Sequence, residues 1–107
     1  MEIQLVFCSC PGPAEAERLA RLAVERRLAA CATLLPGARS WYRWQGQVEQ
    51  ADECLLLLKT RADRVDDLGA MLKAEHPYEL PEILAVQAAG GLPAYLSWVA
   101  DQSHPLE

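Results

Sequence analysis

Hydrophobic positions in the first quarter of the chain change from a strand-like run to a helical repeat. A short β-prone run predicts a strand over residues 2–9, which Pro11-Gly12-Pro13 ends. Apolar residues then recur at the i, i+3, i+4, i+7 spacing, which predicts a helix over residues 14–27 with one buried stripe. The stripe consists of Ala16, Leu19, Ala20 and Ala23.

The middle of the chain predicts a long β-hairpin. Residues 28–44 have the pattern of a strand, but Pro36-Gly37 lies within it. Because proline cannot donate to a central ladder, we expect a kink or a bulge here, where the strand changes partner. Gln45-Gly46 predicts a tight turn into a return strand over residues 47–59. The continuous leucine run 55–58 in that strand predicts burial on both faces of the sheet.

The last part of the chain predicts two helices separated by a strand. Thr60 is the expected N-cap of the second helix, with Asp63 as the partner in a capping box. This helix is expected to end at His76, which precedes a proline. A fourth strand is predicted over residues 82–88, and a final helix over residues 92–102.

The order of these elements predicts the fold class. A β-α-β-β-α-β chain with a C-terminal helix has the ferredoxin-like, split β-α-β arrangement of α+β proteins. Both long helices should then cover one face of a four-stranded antiparallel sheet. A chain of 107 residues has the size of one domain, so we place a single domain at residues 1–107.

The predicted hairpin is too long for the rest of the sheet. At about 3.3 Å per residue, residues 38–44 alone extend ~23 Å, so the tip should project as an arm. The arm carries Trp41, Tyr42 and Trp44. Exposed aromatic residues on an edge favour coverage by another chain, so we expect an oligomer. The alternative is an arm that folds back onto its own chain.

Charge and composition exclude several classes of function. The net charge is −5 and no Lys/Arg block occurs, so we expect no nucleic-acid partner. No apolar run is long enough to span a membrane, so we expect no membrane partner. Four cysteines without a signal-like leader predict a cytoplasmic protein with reduced thiols. The chain has no nucleophile–base pair, phosphate loop or HExxH motif, and we therefore expect no enzyme activity.

Several blocks of sequence resemble one known family. They occur in the family's order and extend over most of the chain: Arg27-Leu28-Ala29-Ala30-Cys31-Ala32, Pro36-Gly37, Tyr42-Arg43-Trp44-Gln45-Gly46, Leu57-Leu58-Lys59-Thr60, His76-Pro77-Tyr78-Glu79-Leu80-Pro81-Glu82 and Tyr95-Leu96-Ser97-Trp98. Together they resemble the CutA divalent-cation tolerance family. The resemblance implies a cytoplasmic homotrimer that binds divalent cations, copper (Cu²⁺) above all, and that is linked to metal tolerance. Since the trimer is similar in shape to the PII signalling proteins, the alternative function is a PII-like trimer that binds a small molecule.

The resemblance also implies three metal ligands, which are Cys8, Glu75 and His76. Glu75 stands where the family has a histidine, and its harder oxygen shifts the preference away from Cu(I). The predicted topology brings two of the three together, because the first strand and the second helix run in the same direction. Their C-terminal ends, Cys8 and His76, should therefore meet at one end of the sheet. A thiolate and an imidazole suit copper or zinc.

Each cysteine and histidine also has a structural interpretation. Cys8 is typical of a small buried hydrophobe, and His76 is typical of a residue that bonds the last carbonyls of a helix. Cys10 should face the same side of its strand as Cys8, either as a further ligand or as an incidental thiol. Cys31 and Cys54 are interpreted as packing residues, and a redox or metal role is the alternative for Cys31.

Three other polar residues lie near the intersubunit region that the resemblance implies. Lys59, Tyr78 and Glu82 are candidates to line a cleft there. Alternatively, Glu82 pairs with Lys59 or an arginine and holds neighbouring strands together. We favour the structural role.

Overall fold

A computed structural model describes residues 2–105, which form four strands, three α-helices and a short 3-10 turn. In chain order the elements are β1 (Ile3–Cys10), α1 (Pro13–Glu25), β2 (Cys31–Trp44), β3 (Gln47–Arg61), a 3-10 turn (Ala62–Arg64), α2 (Val65–Glu75), β4 (Leu84–Gln87) and α3 (Pro93–Gln102). The four strands form one sheet in the order β2-β3-β1-β4, and every neighbouring pair is antiparallel. This is the predicted ferredoxin-like, split β-α-β fold with a C-terminal helix.

The main core lies between the sheet and the first two helices. All four residues of the predicted α1 stripe are buried, as the helical spacing indicated. They pack against alternate residues of the two central strands and against one face of α2. These partners are Val6, Cys8, Cys10, Cys54, Leu56, Leu58, Leu68, Met71 and Leu72. At about 1.5–3 kcal/mol for each large apolar side chain removed from water, this layer supplies most of the fold's hydrophobic stabilisation.

The opposite face of the sheet is only partly covered. α3 packs there, and its Val99 joins Ile3 and Ala30 in a second, smaller core. Beyond α3, Leu55 and Leu57 are half-buried, whereas Leu56 and Leu58 on the helical face are fully buried. The prediction that residues 55–58 are buried on both faces is therefore confirmed for the helical face. On the opposite face, a single chain leaves these leucines half-buried.

The long hairpin projects beyond the rest of the sheet, as predicted. β1 pairs with β3 only from Cys54 onward, so residues 38–44 and 47–53 pair with each other alone. The described residues accordingly extend 44 Å along their longest axis, against 27 and 22 Å along the others. Trp41 at the arm is 67% exposed.

Two glycines shape this hairpin. Gly37 (φ 83°) lies at a bulge between Leu35 and Ala38, where the register of β2 against β3 shifts. A kink or a bulge was predicted here, and the structure has a bulge. The expected change of partner was wrong, since β2 pairs with β3 on both sides of it. At the tip, Gln45 and Gly46 both have positive φ, which matches the twist of a two-residue hairpin turn.

The expected cap of the second helix was wrong. Thr60 is part of β3, and its buried hydroxyl donates to the carbonyl oxygen of Leu28 over 2.7 Å. The carboxylate of Asp63 instead accepts from Arg61, and α2 begins only at Val65. The local motif resembles a capping box, but long-range pairing of β3 with β1 extends the strand through this position.

Candidate metal centre

Two cysteines of β1 share the helical face of the sheet. Cys8 and Cys10 are two residues apart, so the period of a strand directs both side chains to one side. Both are 0% exposed and belong to the main core. Since each lies at the C-terminal end of β1, they stand at the edge of that core rather than in its middle.

His76 reaches the same place from the end of α2. It is the residue that follows the helix, and it is 8% exposed. Its Nε2 lies 2.8 Å from the carbonyl oxygen of Ser9, and its Nδ1 lies 3.1 Å from the backbone nitrogen of Tyr78. Because a backbone N–H can only donate, Nδ1 is the acceptor and Nε2 carries the proton that Ser9 accepts.

The three side chains form a compact group of metal-binding donor atoms. The sulfur atoms of Cys8 and Cys10 and a ring nitrogen of His76 all lie within 4.8 Å of one another. Metal bonds of about 2.0–2.3 Å place tetrahedral donors about 3.3–3.8 Å apart. The donors would therefore have to approach one another by at most roughly 1 Å to bind one ion. The chemistry of two thiols and an imidazole fits a zinc or copper ion.

The two thiols perturb each other. The hydrogen bond with Cys10, together with burial, raises the pKa of Cys8 above the usual value of a thiol. The same hydrogen bond lowers the pKa of Cys10.

Glu75 does not join this group in the structure. Its carboxylate accepts from Arg18 over 2.9 Å, and Arg18 also donates to the backbone oxygen of Glu75. The same guanidinium pairs with Glu15 at 2.9 Å, so it bridges the end of α2 to α1. The side chain of Glu75 is 37% exposed. The structure thus brings Cys8 and His76 together as predicted, adds Cys10, and places the Glu75 carboxylate on the surface.

Tyr78 follows His76 closely in the chain and also lines an open cleft. The Tyr78 hydroxyl donates to Glu53 over 2.8 Å, and burial, followed by this hydrogen bond, raises the pKa of Tyr78. The cleft has a volume of about 830 Å³ and lies between the arm and the segment after His76. Its lining comprises Ser9, Ser40, Trp41, Tyr42, Arg43, Trp44, Glu53 and the segment Pro77-Tyr78-Glu79-Leu80-Pro81-Glu82.

Lys59 lies away from this cleft. Its ammonium group donates to Thr33 over 2.7 Å and lies 3.8 Å from the sulfur of Cys31, on the face of the sheet opposite the thiol pair. Among residues 2–105 it forms no ion pair with Glu82. Two of the three candidate residues, Tyr78 and Glu82, therefore line the cleft. Lys59 does not, because it bonds from β3 to Thr33 of β2.

Comparison with known proteins identifies the family. Residues 4–102 match the CutA1 divalent ion tolerance protein family. The chain belongs to the CutA1 family. It is 45% identical over 95 residues to the divalent-cation tolerance protein CutA of Pectobacterium atrosepticum, which covers 89% of this chain and 86% of that protein. It is 39% identical over 97 residues to the mouse protein CutA, which covers 91% of this chain and 55% of the mouse protein.

Solved CutA structures share the fold of this CutA1 chain. The crystal structure of CutA from Xylella fastidiosa has a TM-score of 0.94 and 47% identity, and the match covers 97% of this chain and all of that one. The divalent cation tolerance protein of Thermus thermophilus has a TM-score of 0.91 and 41% identity, with coverage of 94% and 97%.

Within residues 2–105, no helix has the length and apolar character needed to cross a membrane. One similar solved structure, from Archaeoglobus fulgidus, is described as a periplasmic divalent cation tolerance protein, with a TM-score of 0.92, 31% identity and coverage of 95% of this chain and 99% of that one.

Proposed function

We propose that the chain binds a divalent metal ion, copper or zinc, and takes part in metal tolerance as a binding protein rather than an enzyme. The observation that carries the proposal is the meeting of Cys8 and His76 at the C-terminal end of β1. Membership of a divalent-cation tolerance family supports the same function. We place the protein in the cytoplasm, where its four free thiols would stay reduced.

Binding through His76 requires one of its two hydrogen bonds to break. If Nδ1 takes the metal, Nε2 continues to donate to the Ser9 carbonyl, which is the usual support of a ligating histidine. The backbone N–H of Tyr78 would then lose its acceptor. Glu75, the ligand implied by family resemblance, would have to leave Arg18 to reach the metal.

Thermal unfolding with added metal tests this proposal. An ion that binds only the folded chain stabilises it by about 2.7 kcal/mol at a hundredfold excess over Kd. Cys8→Ala and His76→Ala should each abolish the rise in Tm caused by Zn²⁺ or Cu²⁺. Cys31→Ala is the matched control, because this thiol lies on the other face of the sheet beside Lys59. A wild-type Tm that does not respond to either ion would contradict the proposal.

We further propose that the working form is a homotrimer. Large apolar side chains are exposed on the open sheet face, the arm, the segment after α2 and α3, and a single chain leaves them in water. The list is Leu35, Trp41, Tyr42, Val48, Leu80, Leu84, Val86, Leu92, Tyr95 and Trp98. Such a surface is typical of an interface. Light scattering should give the mass of three chains, and a monomer at micromolar concentration would contradict this state.

The cleft supports a second candidate function, which is PII-like binding of a small molecule. Its volume of about 830 Å³ is within the range of ligand sites, and it combines aromatic faces with polar groups. Glu53, Glu79 and Glu82 line it together with Arg43, so a ligand with both cationic and anionic groups would fit. Saturable stabilisation by a nucleotide or metabolite, in the absence of metal, would favour this function over metal binding.

A further inference from the structure

Cys10 is not among the metal ligands that the family resemblance implies. It is also not part of the argument that brings Cys8 and His76 together at the ends of β1 and α2. Its side chain is fully buried and points to the same face as Cys8, two residues earlier on β1. Its sulfur lies within 4.8 Å of both the Cys8 sulfur and a His76 ring nitrogen. A third donor therefore completes a triangle with the two residues of the proposed site, and all three belong to one chain.

We infer that Cys10 is a third ligand of this site, so that the metal is held by two thiolates and one imidazole. The inference rests on the proposed function, because it needs the site formed by Cys8 and His76. The exposed carboxylate of Glu75 is engaged with Arg18, whereas the Cys10 sulfur already lies among the donors. Cys10 thus takes the place that the family resemblance implies for Glu75.

This donor set determines which ions the site selects. Two thiolates and an imidazole favour Zn²⁺ and copper, Cu⁺ in particular, and disfavour Mg²⁺, Ca²⁺ and Mn²⁺, which prefer oxygen ligands. A divalent ion takes both sulfurs as thiolates, so binding releases up to two protons for each ion bound. The three ligands of one chain leave a fourth position for water or another donor, which keeps the ion exchangeable.

Cys54 provides a matched control for Cys10. It lies directly opposite Cys10 in the register of β1 and β3, and both side chains are 0% exposed. Its sulfur is not a member of the donor group. Truncation of either cysteine to alanine removes the same buried atom from neighbouring positions in the core, so their effects on folding should be similar.

Titration with Co²⁺ distinguishes the two thiols, because thiolate-to-cobalt charge transfer reports the number of sulfur ligands. Against the wild type, Cys10→Ala should reduce the charge-transfer absorbance per bound ion by about half and weaken Zn²⁺ binding at least about tenfold. Cys54→Ala and Glu75→Gln should retain both values. Circular dichroism of each metal-free variant confirms that it is folded.

The outcomes separate this inference from the proposed function. If Cys10→Ala binds Co²⁺ with the wild-type absorbance and affinity while Cys8→Ala loses both, the site exists and Cys10 is not a ligand. If Cys54→Ala reduces the absorbance as much as Cys10→Ala, the loss reflects the core, and the assignment of Cys10 is wrong. If the wild type shows no thiolate charge transfer at all, the proposed function itself fails.

Discussion

His76 donates its Nε2 proton to the carbonyl oxygen of Ser9 over 2.8 Å and so ties the end of α2 to the end of β1. The other ring nitrogen accepts from the backbone N–H of Tyr78. The Ser9 carbonyl lies in a buried contact and would cost about 1–3 kcal/mol if left unpaired, whereas the backbone N–H of Tyr78 lies in a half-buried segment. The same histidine that the sequence assigns to a metal is therefore also a structural link between two elements.

The tautomer of His76 is the first testable consequence. In the metal-free protein, ¹⁵N NMR should show a protonated Nε2 and an unprotonated Nδ1, since the Tyr78 N–H requires an acceptor. Addition of Zn²⁺ should shift the Nδ1 resonance if that atom becomes the ligand. His104, which is exposed, provides the internal reference. A metal-free His76 with its proton on Nδ1 would contradict the hydrogen bonds described here.

The Tyr78–Glu53 contact predicts a dependence of stability on alkaline pH. Burial and the carboxylate of Glu53 raise the folded pKa of Tyr78 above the value of about 10 in an unfolded chain. Its contribution to stability is therefore fully present below pH ~10 and is lost as the pH rises through the folded pKa. Subtracting the tyrosinate absorbance titration of Tyr78→Phe from that of the wild type gives the titration of Tyr78 alone. The midpoint pH of this difference curve should lie above the pKa of free tyrosine.

Glu53→Gln is the control for this titration. It keeps an acceptor near the hydroxyl of Tyr78 but removes the negative charge, so the difference curve should move toward lower pH while burial keeps it above the ordinary value. Tyr95 also has a raised pKa caused by burial, which is why a difference curve is needed. A Tyr78 that ionises with the ordinary pKa would refute the contact.

The bulge in the hairpin predicts the effect of a single methyl group. Gly37 has φ 83°, and a Cβ there would meet no atom within 4 Å, so Gly37→Ala tests backbone strain alone. We expect a loss of about 1 kcal/mol in the free energy of unfolding. Gly90 is the matched control, because it is equally open but not in the left-handed region. If Gly37→Ala and Gly90→Ala change the free energy of unfolding equally in urea, there is no backbone strain specific to position 37.

Several features of the fold follow from the sequence because local signals decide them. The α1 stripe was predicted from helical spacing, and the hairpin turn at Gln45-Gly46 from the need for positive φ. Thr60 could not be placed in the same way. Its motif favours a helix cap, whereas its position opposite Gln4 in the sheet and its bond to Leu28 depend on residues distant in sequence.

The candidate site was predicted in part for similar reasons. The parallel course of β1 and α2 is a property of the topology, so the meeting of Cys8 and His76 followed from the order of elements. Glu75 is adjacent to His76, but consecutive residues of a helix point about 100° apart, and its carboxylate faces α1. The strand period already placed Cys10 beside Cys8, and the position of His76 close to both sulfurs made Cys10 a third donor.

The open face of the sheet predicts where the assembly is sensitive. Leu84 on β4 is 60% exposed in a single chain, so Leu84→Lys should change the stability of a monomer by only about 0.5 kcal/mol. In a trimer that covers this face, the same change would bury a charge without a partner and lower the mass seen by light scattering. Val24→Lys is the matched control, since Val24 is 42% exposed on α1, on the other side of the sheet. If both variants keep a trimeric mass, the open face is not the interface, and the arm with Trp41 would have to hold the chains together alone.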